Sequence, residues 1–157
     1  MKTEIRPFQP SDEAAVVQLW KDCNLVVPWN DPLRDIRRKL RVQPELFLVV
    51  LVSGELAATV MAGYEGHRGW LNYLAVAPRF RRQGIGRKMV AEAEARLRQM
   101  GCPKINIQIR TGNTEVIEFY RRIGFKPDDV VSMGKRLENR YVLFTNQSRS
   151  RSYQVYS

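Results

Sequence analysis

Seven consecutive residues, Arg81-Arg82-Gln83-Gly84-Ile85-Gly86-Arg87, gather two glycines and three arginines into one turn. The run Leu74-Ala75-Val76-Ala77-Pro78 before it reads as the end of a strand, and apolar residues after it recur at helical spacing. The turn therefore leads from a strand into a helix N-terminus. There the first amide N–H groups have no intrahelical acceptor and the helix dipole adds partial positive charge, so backbone alone can hold a phosphate. Gly84 and Gly86 keep Cβ atoms out of the path of a pyrophosphate, and the flanking arginines add charge-assisted hydrogen bonds. Two commoner phosphate loops fail on the same residues: a P-loop needs Gly-Lys-Ser/Thr after a longer spacer, and a dinucleotide fingerprint needs a third glycine where Met89 stands. A helix cap beside a solvated basic face would explain a lone Gly-x-Gly. It does not explain Val76, Pro78, Arg81, Gly84 and Gly86 falling in register after a strand.

A second group of residues lies further on. Asn113 opens a helical run that closes at Gly124, and Tyr120 follows Asn113 by about two turns, so both face one side. Between two strand-like runs, Glu65-Gly66-His67-Arg68-Gly69 forms a turn that carries the chain's one histidine. A turn histidine is as often structural as functional.

Stepping along the chain gives the elements that must hold these groups. Glu4 to Phe8 reads as a strand, and Ser11 is the expected N-cap of a helix with Val16, Leu19, Trp20 and Cys23 on its buried face. Asp31 caps a second helix with Pro32 at its first position; Leu33, Ile36, Leu40 and Val42 form its inner side, and Arg34, Arg37, Arg38, Lys39 and Arg41 its wet side. Leu46 to Val52 and Leu56 to Tyr64 are strands joined at Ser53-Gly54, and Trp70 to Ala77 makes a third antiparallel strand. A helix from Gly84 to Met100, a strand from Lys104 to Arg110, a helix from Asn113 to Ile123 and a late strand from Val130 to Leu137 complete the order. This is a mixed α/β (α+β) domain with helices on both faces of one sheet. Residues 1–145 form a single domain, and the polar, Ser/Arg-rich segment 146–157 is expected to be an unstructured tail.

Composition narrows the partners. With 26 Lys and Arg against 16 Asp and Glu, the net charge of +10 favours polyanions: a phosphorylated cofactor, nucleic acid or an acidic protein. No recognition-helix or RNA-binding signature accompanies the charge, so nucleic acid ranks last. Apolar stretches are too short to cross a bilayer and Met1 to Phe8 lacks a signal-peptide core, which predicts a cytoplasmic protein without a membrane partner. Cys23 and Cys102, far apart and outside any CxxC, predict neither a metal site nor a disulfide and read as buried, reduced packing residues.

Arg81-x-x-Gly84-x-Gly86 after a Val-x-Pro strand end resembles the acetyl-CoA motif of the GNAT superfamily of N-acetyltransferases. Asn113-Thr-Glu-Val-Ile-Glu-Phe-Tyr120-Arg-Arg-Ile-Gly124-Phe125 is similar to the family's later motif, and the Gly-Tyr-Glu-Gly-His-Arg-Gly turn resembles a branch of small bacterial members. The resemblance implies a mostly antiparallel, twisted central sheet of six to seven strands. It implies that the strand bearing Leu74, Ala75 and Val76 splays from the one near Lys104 to Ile109, with the pantetheine arm in the gap. By the same resemblance Arg81, Arg82, Gln83, Gly84, Ile85, Gly86 and Arg87 hold the pyrophosphate, and Asn113 contacts the arm.

The implied reaction is direct attack of an amine on acetyl-CoA without an acyl-enzyme. Tyr120 is then the general acid beside the sulfur, and a backbone N–H near Leu74 or Ala75 meets the oxyanion. Where some relatives carry a catalytic glutamate this chain has Gln108, which cannot take a proton, so Glu65 and His67 are the base candidates, with ordered water as the alternative. Trp29, Tyr64, Trp70 and Tyr73 are candidate acceptor-pocket residues. A catalytically silent acyl-CoA-binding module is the competing reading, and a homodimer stays open.

Overall fold

The computed structural model of the chain describes residues 2–138. These fall into two compact units, one ending at Ile117 and one beginning at Glu118. The expected tail, 146–157, lies outside the described residues.

The first unit is built on a five-stranded sheet in the order β1 (Thr3–Pro7), β2 (Phe47–Val52), β3 (Glu55–Tyr64), β4 (Gly69–Val76) and β5 (Ile105–Asn106). All neighbours are antiparallel except β4 and β5, which are parallel. β2, with the sequence FLVVLV, is apolar without alternation because both its faces are covered. Ser53 and Gly54 both take positive φ, 49° and 81°, the signature of the tight hairpin turn expected there.

On one face lie α1 (Glu13–Asp22) and α2 (Pro32–Lys39); Val16, Leu19, Trp20 and Ile36 bury themselves against Phe8, Phe47, Val49, Met61 and Ala75. On the other lies α3 (Ile85–Gln99), which buries Ile85, Met89, Val90, Ala93 and Leu97 and packs on β2, β3 and β4. Gly69 permits that contact, since a Cβ there would meet Cys102 Sγ at 2.8 Å. Among the described residues no helix is long and apolar enough to cross a membrane.

Several local expectations change. Ser11 does not cap α1. A turn of 3-10 helix, Pro10–Asp12, comes first, and Asp12 closes it by accepting from Gln9 N–H at 2.8 Å while gripping the Arg6 guanidinium at 2.7 and 3.0 Å. Asp31 caps α2 as expected, accepting from Arg34 N–H at 3.2 Å. The inner face of α2 is narrower than its spacing implied, because the helix is only two turns long: Ile36 is buried, but Leu33 and Val42 are exposed. Lys39, expected on the wet side, instead donates to the Ala62 carbonyl, and desolvation lowers its pKa. Cys23 and Cys102 are free but only half-buried.

α4 (Thr114–Arg122) runs from the first unit into the second. In the second, Tyr120 is buried with Phe119 and Phe125 edge-on, each ring at 5.1 Å. Gly124, at φ 101°, ends the helix, and Phe125 N–H returns to the Tyr120 carbonyl at 3.0 Å. The expected strand Val130 to Leu137 does not form. A strand needs a ladder partner for its N–H and C=O groups, and Val130, Val131, Met133 and Leu137 are all largely exposed. The strand Lys104 to Arg110 shrinks to the two residues of β5. Five strands are thus present among the described residues, not six to seven.

Candidate active site

β4 passes into the glycine turn through one turn of 3-10 helix, Pro78–Phe80, whose buried Phe80 fixes it to the core. Phe80 and Arg81 N–H groups bond back to Ala77 and Pro78 carbonyls at 2.8 and 3.3 Å, and the next bond recorded is Lys88 N–H to the Gly84 carbonyl at 3.0 Å. Between them, among the described residues, the N–H groups of Arg82, Gln83 and Gly84 have no backbone acceptor, and those of Ile85, Gly86 and Arg87 are the orphans of a helix N-terminus. Arg81 is extended, and Arg82 and Gly84 take positive φ, 61° and 77°, so left-handed residues recur within the turn. Such successive N–H groups form an anion-binding concavity. A Cβ on Gly84 would touch no protein atom within 4 Å, so within the protein itself it is the backbone angle that favours glycine there.

The arginines of the turn differ in their use. Arg81 Nε donates to the Val76 carbonyl at 3.1 Å, and Cys23 Sγ sits 3.4 Å from the same oxygen, so Arg81 ties the turn to the end of β4. Arg79 pairs with Glu55 and lies over the Phe80 ring. Gln83 Nε2 donates to the Arg79 carbonyl at 3.3 Å. Arg82, Arg87 and Lys88 are exposed and have no carboxylate partner among the described residues.

Beside the turn the sheet opens. β4 and β5 pair at Gly69↔Ile105 and Trp70↔Asn106, so along that edge Leu71 to Val76 have no neighbouring strand among the described residues. On its other edge β4 carries a bulge: Met61 faces Asn72 and Thr59 faces Ala75, leaving Tyr73 and Leu74 together opposite Val60. Tyr73 is left-handed, with φ 52°. That conformation costs a non-glycine residue about 1–2 kcal/mol and persists only where surroundings impose it. Here they do. The ring stacks on Trp20 at 4.0 Å, its hydroxyl donates to Asp35 Oδ2 at 2.6 Å, and its carbonyl accepts from Thr59 Oγ1 at 2.9 Å. Thr59, fully buried, accepts in turn from Trp20 Nε1 at 2.9 Å.

The structure brings Leu74, Ala75 and Val76 next to the turn from Arg81 to Arg87 and leaves Glu65 and His67 elsewhere. Their turn precedes Gly69, at the paired end of β4, and the residues between His67 and Leu74 span about 20 Å of strand. Glu65 Oε1 accepts from the N–H groups of His67 and Arg68, which lowers its pKa, the Arg68 bond first. Asn113 is exposed and caps α4, its carbonyl accepting from Ile117 N–H at 3.1 Å. Tyr120 lies in the second unit, where burial pushes its phenol up. Tyr64 donates to the Gly66 carbonyl, Trp70 is partly exposed on β4, and Trp29 lies under the Arg110 guanidinium at 4.9 Å. Sequence reasoning missed Asp35 and Thr59. The signal for Asp35 was an acidic residue set alone among Arg34, Arg37, Arg38 and Lys39.

A family model for the acetyltransferase (GNAT) family matches residues 14–125. An acetyltransferase of Yersinia enterocolitica is 48% identical over 134 residues, 85% of this chain and 95% of that protein. Ard1 from Thermoplasma volcanium, 25% identical, shares the fold at a TM-score of 0.73 over 80% of this chain and 84% of that one. AAC(6')-Iy, solved with the bisubstrate analog CoA-S-monomethyl-acetylneamine, is 18% identical with a TM-score of 0.71, covering 87% of this chain and 99% of its own. A glycine turn of orphan N–H groups, a strand pair that parts beside it, and sequence relatives along most of the chain lead to one conclusion: this chain belongs to the acetyltransferase (GNAT) family and is an acyltransferase.

Proposed function

We propose that the chain moves an acetyl group from acetyl-CoA to a primary amine of a small molecule, peptide or protein by direct attack. The observation that carries this is the run of unbonded N–H groups from Arg82 into α3, at the end of a strand whose partner leaves it at Trp70. These residues fit the cosubstrate: a pyrophosphate takes the N–H groups and the exposed Arg82 and Arg87, and an extended amide-bearing arm adds to the open edge of β4 as a strand would. AAC(6')-Iy, which has the same fold, was solved with a CoA bisubstrate analog.

Acetyl-CoA supplies the thioester; the amine nitrogen forms a bond to its carbonyl carbon, the carbon–sulfur bond breaks, and the amine loses a proton while the thiolate gains one. In this reading the main-chain N–H at Leu74 faces the carbonyl oxygen as it gains charge; of the two candidates, Ala75 points its N–H to the β3 edge, as Ala77 does toward the Ala57 carbonyl. Asn113 contacts the arm and Arg81 fixes the turn. Tyr120 donates to the thiolate: a phenol is protonated at neutral pH at its ordinary pKa of about 10, and burial raises it further. Glu65 and His67 are the candidates for the amine proton, reached through water because their turn stands at the paired end of β4; an amine that arrives neutral needs neither. A single catalytic domain over residues 1–145 and a cytoplasmic setting belong to the same proposal.

The test is thiol release from acetyl-CoA in the presence of a panel of polyamines, amino sugars and peptides with free amino groups, followed by mass spectrometry of the product. Amine-dependent release that adds one acetyl group supports the reading, with Tyr120→Phe slower by about 10²-fold. Tight acetyl-CoA binding with no turnover of any amine, in wild type and Tyr120→Phe alike, favours the silent binding module.

A further inference from the structure

The bulge in β4 depends on Tyr73. Its left-handed backbone makes Tyr73 and Leu74 share one partner on β3, and a bulge re-aims the main chain that follows it. That main chain is Leu74-Ala75, on the strand whose other edge is open. Tyr73 is held by contacts from three different elements. Trp20 of α1 sets the plane of the ring, Asp35 of α2 holds its far end, and Thr59 of β3 holds its carbonyl. Thr59 and Trp20 are bonded to each other as well.

The anchor at the far end is itself rigid. Asp31 caps the start of α2, and Lys39 ties its end to the Ala62 carbonyl of β3. Arg38 lies 3.6 Å from the carboxylate oxygen opposite the tyrosine. A role in packing alone would be met by a phenylalanine. The hydroxyl-to-carboxylate bond is extra, and it falls on the residue whose backbone is strained.

We propose that Asp35 and Trp20 are positioning residues for acyl transfer that act through Tyr73, holding the left-handed bulge and so aiming the Leu74 donor into the β4–β5 gap, since Ala75 N–H lies on the β3 edge with that of Ala77. The proposal rests on the gap receiving the thioester, as argued above. Neither residue touches the reacting atoms. Their effect is on how strongly the carbonyl is polarised, not on how tightly the cosubstrate's phosphates are held.

Isotope-edited infrared spectroscopy of acetyl-CoA carrying carbon-13 at the carbonyl separates the two, with calorimetry reporting affinity on the same samples. In wild type the bound carbonyl band is expected below its position in free acetyl-CoA. In Asp35→Ala and Tyr73→Phe acetyl-CoA is expected to bind with unchanged affinity while the band returns toward its free position; Asp35→Asn, which keeps an acceptor, is expected to retain most of the displacement. Folded Asp35→Ala and Tyr73→Phe proteins with wild-type band positions would overturn the proposal. Should Asp35→Ala fail to fold, Tyr73→Phe, which keeps the stacked ring, decides alone. A wild-type protein that does not bind acetyl-CoA is a separate result: it overturns the function proposed above and this inference with it. Binding without band displacement in wild type overturns only the inference.

Discussion

Gly84 stands where a side chain would fit but its backbone angle would not suit one. No atom lies within 4 Å of a Cβ built there, yet φ is 77°. Gly84→Ala is therefore expected to lower stability by about 1 kcal/mol in urea unfolding, and to weaken acetyl-CoA binding less than Gly84→Glu, which adds a negative charge. This glycine was legible in the sequence because its spacing from Arg81 and Gly86 is a short-range pattern. Ser11 and Lys39 were misread for a related reason. Both fit a local rule, but Asp12 and the Ala62 carbonyl offered other pairings.

Asp12 carries a pH prediction. Its hydrogen bonds from Arg6, then that from Gln9 N–H, hold its pKa below the usual carboxylate value. The folded state thus binds the proton more weakly than the unfolded chain, and the stabilisation is present above about pH 4 and lost as pH falls through the lower folded value. Asp12→Asn is expected to be less stable than wild type by about 1–2 kcal/mol at pH 7. In urea unfolding the gap should narrow near pH 3; a gap that stays constant contradicts the assignment.

β2, β3, α1 and α3 could be read from periodicity because each buries a face or faces of its own. The bulge in β4 could not. Its register is set by Trp20, Asp35 and Thr59, which are remote in sequence and meet only when the sheet and both helices are in place. Thr59→Val tests that linkage: it removes the hydroxyl that accepts from Trp20 Nε1 and donates to the Tyr73 carbonyl, so a loss of about 1–3 kcal/mol is expected in urea unfolding. Where α3 ends, Gly69→Ala would set a Cβ 2.8 Å from Cys102 Sγ. The expected cost is about 1–3 kcal/mol, and Cys102→Ala in the same chain should recover part of it. An unchanged cost in the double variant would place the clash elsewhere. The expected strand from Val130 to Leu137 shows the limit of periodicity, for its residues have strand-like chemistry but join no ladder among the described residues.

For the protein as a whole, the +10 net charge led equally to a phosphorylated cosubstrate, nucleic acid or an acidic surface. The place of part of that charge, at a turn whose N–H groups have no backbone acceptor among the described residues, favours the phosphorylated cosubstrate. Binding at that turn stabilises the folded state by about 2.7 kcal/mol at a ligand concentration one hundred times Kd, which raises Tm by roughly 5–10 °C for a chain of this size. Acetyl-CoA and CoA should both produce the shift, since they share the pyrophosphate, and added salt should reduce it.

The most direct test of the central claim is calorimetric titration of wild type and Gly84→Glu with acetyl-CoA and with CoA. Micromolar binding of both by wild type, abolished in a folded Gly84→Glu variant, is the predicted result. A folded wild-type protein that binds neither, or a variant that binds as well as wild type, would contradict the assignment of this turn as the pyrophosphate site.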